Sequence, residues 1–158
     1  MSDIEARPNR LPWPPLIYVA AIAASVLTHI LVPLPWLPSP LSDIMLAVGW
    51  LFVAGAIFID VSAMRALHRS NTTIMPHRGS EHLVTSGAFA LTRNPIYLGN
   101  TMIMFGAGLV SGILWFFPLA LVAAFATQKL AIEREEKHLE ARFGKRFRDY
   151  AKRVRRWV

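Results

Sequence analysis

Two groups of residues in this 158-residue chain have the types and spacing to do chemistry. The first is Arg93-Asn94-Pro95-x-Tyr97, where a polar loop gives way to an apolar run. Asn suits an N-cap, because its side chain can accept from a free backbone N–H. Pro suits the first helical position, where no N–H is needed and φ is already set. The pattern predicts a helix from Pro95 whose positive end, with its free N–H groups, faces the loop as a ready anion site. Arg93 adds a permanent charge just before it. The same residues also read as a capped membrane helix with an interfacial Arg. The second group is Glu133-Arg134-Glu135-Glu136-Lys137-His138. Glu135-x-x-His138 has the carboxylate–imidazole spacing of di-iron bundles, but those sites need two such motifs and two further Glu. One motif is present, so no metal is expected, and Glu133 with Lys137 reads as an ordinary i,i+4 pair. The chain has no Cys, which removes disulfides, thiolate metal sites and a thiol nucleophile. No Ser-His-Asp arrangement can be assigned, and the loop lacks a Walker or dinucleotide Gly pattern.

The elements that must position these groups are apolar helices. Hydrophobic residues make up 54% of the chain and charged ones 17%, where soluble domains carry about 25% charged. That balance predicts an all-α integral membrane protein, a single domain over 1–158 with about four spans. The first covers about 16–36; Pro33, Pro35, Pro38 and Pro40 follow its apolar run where a secretory signal would have a small-residue cleavage site, so it reads as retained. The second covers about 41–67, with Ser42 or Asp43 as cap and Gly49, Ala54, Gly55 and Ala56 allowing close helix approach. Asp60 lies toward its end. It is either a group at depth with a function or an interfacial acid paired with Arg65 or the loop. The third and fourth spans, about 95–110 and 113–132, form a hairpin that turns at Ser111-Gly112 or just before Pro118.

Nothing stops the fourth helix at Ile132. Residues 133–140 are good helix formers, so the helix continues to Arg142 or Phe143, with Gly144 as terminator. Beyond it, Phe143, Phe147, Tyr150, Val154 and Trp157 recur at helical spacing, with Lys and Arg between them. They predict an amphipathic helix, so that helices cover 133–157.

Charge sets the orientation. Eleven of the seventeen Lys and Arg lie from Lys129 onward, while the links between spans one and two and between three and four have none. The positive-inside rule places both termini and the long 69–93 loop in the cytoplasm, in the manner of a bacterial inner-membrane protein. The net charge is +7, but no nucleic-acid motif accompanies it, so the basic tail is read as a partner of the bilayer and not of nucleic acid.

At this point the residues resemble a known family. Leu83-Val84-Thr85-Ser86-Gly87-x-Phe89, then Arg93-Asn94-Pro95-x-Tyr97, then Glu135-Glu136-x-x-Leu139-x-x-x-Phe143-Gly144 with Tyr150, resemble the isoprenylcysteine carboxyl methyltransferase and phospholipid methyltransferase superfamily. The resemblance covers about 72–150. It implies S-adenosylmethionine bound at the cytoplasmic membrane face. The backbone of Glu81, His82, Leu83 and Val84 would line the adenosine, near Gly87. Phe89 stands where the family often has Tyr and would pack on the cofactor. Asn94, Pro95, Ile96 and Tyr97 fall on the family's His-Pro-x-Tyr cofactor element, with Asn94 in place of His. Glu135 falls on its cofactor-binding Glu.

Elementary chemistry agrees with that assignment. A carboxylate suits the helix start near Arg93, and an ammonium or ribose hydroxyl suits a Glu acceptor. Arg93 and Glu135 are therefore the residues expected to carry catalysis. In the prenylcysteine enzymes an Arg before the acidic cluster holds the substrate carboxylate. Ala131 stands there in this chain, and Arg134, one turn on, is the expected substrate contact. The acceptor is expected to be lipid-like or small and amphipathic. Whether O, N or S is methylated, and how many copies assemble, stays open. Phospholipid N-methyl transfer, a non-enzymatic scaffold and a nicotinamide-dependent membrane reductase are the competing readings.

Overall fold

The computed structural model describes residues 13–70 and 82–158, and these form helices and turns with no strand. Helix α1 is Trp13–Leu31, α2 is Leu41–Arg69, α3 is Pro95–Ser111 and α4 is Phe116–Thr127. A π turn at Gln128–Ile132 joins α4 to α5, Glu133–Phe143, and α6 is Lys145–Arg153. A single 3₁₀ turn, Gly87–Ala90, lies in the α2–α3 loop. Helix α1 stops at Leu31 and does not reach Trp36, because Pro33 and Pro35 cannot donate the bonds that would continue it.

Among the described residues, three helices are long and apolar enough to cross a membrane: Trp13–Leu31, Leu41–Arg69 and the continuous Phe116–Phe143. Their outward faces carry large apolar side chains in the open, among them Ile30 at 70%, Leu51 at 71% and Phe58 at 73% exposed. Water would not tolerate such a belt, whereas lipid does. The chain is accordingly an integral membrane protein. Helix α3 has 17 residues, which at 1.5 Å per residue reach about 26 Å, a little short of the ~30 Å hydrocarbon core.

Small residues set the packing of α2 on α3. A Cβ on Gly49 would lie 2.9 Å from Leu109 Cβ and 3.0 Å from the Gly106 carbonyl, and one on Gly106 would lie 2.9 Å from the Gly49 carbonyl. The two backbones touch there, which only glycine allows. Further along, Gly99 meets Asp60, so the helices run antiparallel. Asp60 therefore sits against α3. Among the described residues its Oδ1 is buried without a hydrogen-bond partner; Arg65 does not pair with it, and residues 71–81 of the loop, the other expected partner, lie outside the described residues.

On the other side of α3, Tyr18, Met104, Phe116, Ala120 and Ala123 form the core shared with α1 and α4. Gly112, at φ 71°, ends α3 beside Trp36, and Pro118 lies inside α4, so the turn is at Ser111-Gly112. Trp115 Nε1 donates to the Val32 carbonyl at 2.9 Å and ties this turn to the end of α1.

Helix α4 runs without a break through the π turn into α5, and Gly144 ends α5 at φ 52°. Glu133 pairs with Lys129 at 2.8 Å, not with Lys137. Helical side chains lean toward the N-terminus, so Glu133 reaches back over the preceding turn. Helix α6 ends at Arg153 and does not reach Trp157. Val154 is extended, at φ −119° and ψ 127°, and the backbone after it bonds to another part of the molecule.

Candidate active site

One end of the bundle gathers the polar residues. The end of α2 buries Ala66 and Leu67 against Val84, with Phe89 and Ile96 packed on them. This small core fixes the Val84–Phe89 part of the loop against α2. Gly87 turns the chain at φ 61°, and a Cβ there would lie 3.3 Å from Ser62 Oγ and 3.4 Å from Ala66 Cβ. The next N–H, of Ala88, donates to Ser62 Oγ at 3.1 Å. Any other side chain at 87 is strained by the positive φ, and a branched one also meets α2. Gly87→Val is expected to displace the 3₁₀ turn, costing ~1–2 kcal/mol of stability. Thermal unfolding in detergent measures this.

Helix α3 starts at Pro95, as the sequence predicts, but Asn94 does not cap it with its side chain. Asn94 Nδ2 instead donates to the Arg156 carbonyl at 2.9 Å. Thr92 Oγ1 accepts from the Asn94 N–H at 3.2 Å and donates to the same Arg156 carbonyl at 3.1 Å. The Arg93 N–H donates to the Arg155 carbonyl at 2.9 Å. The last residues of the chain thus dock on the start of α3. Val154, at φ −119° and ψ 127°, is outside the helical region, so the segment that docks is not a continuation of α6.

Tyr97 and Glu135, 38 residues apart in sequence, meet at this end: the Tyr97 hydroxyl donates to Glu135 Oε1 at 2.7 Å. An O–H to a carboxylate is among the stronger hydrogen bonds. Tyr97 is itself held from behind. Its carbonyl accepts from Tyr18 Oη at 3.1 Å and from Thr101 Oγ1 at 2.9 Å. Next to Glu135, Glu136 accepts from Arg93 at 3.1 Å and from Arg156 at 2.6 and 3.0 Å. The hydrogen bonds to Glu136 raise the Arg156 guanidinium pKa above its ordinary value, which fixes the charge.

Below this pair of acids, the Tyr150 hydroxyl donates to the Phe89 carbonyl at 2.6 Å. Burial pushes that phenol up to about 12, so it stays a donor at any working pH. Tyr150→Phe removes one hydrogen bond and leaves a part-buried carbonyl without that donor. The expected loss is about 1–2 kcal/mol in thermal or denaturant unfolding.

The expected site residues thus fall into three groups. Val84, Gly87, Phe89, Asn94, Pro95, Ile96, Tyr97, Arg93 and Glu135 lie together at one bundle end, with Leu83 half-buried beside them. His82 and Arg134 are exposed. Glu81 lies outside the described residues. Sequence reasoning missed Thr92, Gln128, Arg156 and the supporting Tyr18 and Thr101. Trp157 Nε1 donates to Gln128 Oε1 at 2.9 Å, in the π turn that precedes the acids. A π turn inside a helix is a recurrent mark of functional sites, but it leaves no pattern in the residues themselves.

Chemically, the cluster offers a carboxylate with a phenol donor, a guanidinium, a helix start with free N–H groups, and a glycine turn beside an apolar wall. That set suits a ligand with a cationic group, an anionic group and a flat apolar part. No curated protein and no solved structure matches the chain. A family model described as phospholipid methyltransferase matches residues 44–146, from the second apolar helix through the acidic one. On that match, which takes in the Tyr97–Glu135 pair and the loop before it, the chain belongs to the phospholipid methyltransferase family, within the superfamily that includes the isoprenylcysteine carboxyl methyltransferases.

Proposed function

We propose that the chain is an integral membrane methyltransferase that uses S-adenosylmethionine and acts on a lipid-like or small amphipathic acceptor, in the manner of isoprenylcysteine carboxyl O-methyltransferases. The observation that carries this reading is the 2.7 Å bond between Tyr97 and Glu135, which brings the two expected cofactor residues together within the matched family region. The residues present fit the donor. Glu135, with Tyr97 on one oxygen, has lone pairs left for an ammonium or ribose hydroxyls. Arg93 and the start of α3 suit a carboxylate. Val84 and Phe89, beside the Gly87 turn, suit a flat base.

When bound, the donor supplies a methyl group already activated on a sulfonium, so no strong acid or base is required of the protein. The chain's own residues then have three tasks. Glu135 and Tyr97 bind and orient. Arg93 neutralises. The apolar wall around Val84, Phe89 and Ile96 excludes water, so an acceptor entering from lipid meets the methyl in line and desolvated. Ala131, at the position of the prenylcysteine enzymes' carboxylate-binding Arg, is fully buried in the π turn, while Arg134 is exposed and reaches outward. We place Arg134 at the acceptor's polar end. The full reading has one domain over 1–158, four spans with α3 as the short one, and both termini and the site on the cytoplasmic face, where the Lys and Arg lie.

Transfer of labelled methyl from S-adenosylmethionine into whole-cell lipid and small-molecule extracts tests this reading. A labelled lipid-phase product that disappears in the Glu135→Ala protein is expected. Labelled ethanolamine phospholipid would favour N-methyl transfer, and no labelled product would favour a scaffold.

A further inference from the structure

The basic residue that contacts Glu136 most closely comes from outside the matched region. Arg156 forks onto both oxygens of Glu136, at 3.0 and 2.6 Å, while Arg93 reaches one of them at 3.1 Å. All three side chains are largely covered, with 15% of Arg93, 18% of Glu136 and 32% of Arg156 exposed. In such a setting the sum of charges matters, because screening is weak. Two guanidiniums against the Glu136 carboxylate leave that trio one positive charge, with Glu135 beside Glu136 and Glu133 near Arg156 as further acids. Arg93 and Glu136 alone would leave none.

We propose that Arg156 is a positioning residue for the donor site: by taking up the charge of Glu136 it leaves Arg93 positive toward an anionic group of the ligand. This inference rests on the S-adenosylmethionine reading above and names the part of the donor concerned, its carboxylate. The segment is held in place without the Arg156 side chain. The carbonyls of Arg155 and Arg156 accept from Arg93, Thr92 and Asn94, and Trp157 bonds to Gln128. Arg156→Ala therefore removes a charge and leaves the docking bonds.

Two ligands separate this role from a merely structural one. S-Adenosylhomocysteine carries the amino-acid carboxylate, and methylthioadenosine lacks it. Calorimetry on the full chain in nanodiscs is expected to show S-adenosylhomocysteine binding weakened about tenfold in Arg156→Ala. Methylthioadenosine affinity should move less than about twofold. Arg156→Lys, which keeps the charge, should retain most of the affinity. Adding Glu136→Gln to Arg156→Ala removes the acid that Arg156 offsets and should restore S-adenosylhomocysteine binding to within about threefold.

Equal losses for both ligands, no loss for either, or no restoration by Glu136→Gln overturns the inference and leaves the donor reading intact. A wild-type chain that binds neither ligand overturns both. If Arg156→Ala fails to fold, Glu136→Gln alone still decides. It should bind S-adenosylhomocysteine at least as tightly as the wild type, and a loss of about tenfold would refute the charge-balance role.

Discussion

Glu135→Ala is expected to lower the affinity for S-adenosylmethionine by about a hundredfold and to bring methyl transfer to background. The argument starts from position. Glu135 stands in the first turn of α5, held by Tyr97 at 2.7 Å. A ligand ammonium bonded to a covered carboxylate is a charge-assisted contact, and truncating one partner of such a pair costs about 2–5 kcal/mol. Near 3 kcal/mol, this is roughly two powers of ten in the dissociation constant. Tyr97→Phe should cost less, about tenfold, because the Glu135 carboxylate stays in place and loses one hydrogen bond. Equilibrium binding of labelled donor to the purified variants gives both numbers. An order of effect with Tyr97→Phe worse than Glu135→Ala would mean the phenol, and not the carboxylate, meets the ligand.

The second large effect is on stability. Gly49→Leu and Gly106→Leu should each destabilise the chain by about 3 kcal/mol, at the upper end of the cost of overpacking. At this crossing each glycine lies within about van der Waals contact of the other's backbone, with gaps of 2.9–3.0 Å for an added Cβ. Backbone cannot swing aside as a flexible side chain can, so α2 and α3 must separate. Their separation would also move Pro95 and Tyr97 away from the acids, so donor binding should fall together with the unfolding midpoint in detergent. The two substitutions address one contact, and the double variant should cost clearly less than the sum. Additive losses would show that the helices do not meet there.

How much of this was legible in the residues varies by element. The apolar helices follow from hydropathy and length, and the start of α3 at Pro95 and the end of α5 at Gly144 follow from local backbone preference. The meeting of Tyr97 with Glu135 was legible only through the resemblance, since no periodicity relates residues 38 apart. Asn94 was expected to accept from the helix. It donates to the tail, because a side-chain amide has both functions and the tertiary partner prevailed. Trp157 continued the spacing of Phe147 and Tyr150, yet Val154 is extended. A few residues of amphipathic spacing cannot tell a helix from a segment whose carbonyls are claimed elsewhere. The docking of Arg155 and Arg156 uses backbone carbonyls, which every residue type has, so it left no trace in the sequence.

The central claim is that a sulfonium donor is held between the start of α3 and the start of α5. A crystal structure in lipidic cubic phase with S-adenosylhomocysteine tests it most directly. The account predicts the homocysteine part within hydrogen-bonding reach of Glu135 and Arg93, with the adenine against Val84 and Phe89. Ligand bound elsewhere on the chain, with the Tyr97–Glu135 pair untouched, would contradict it.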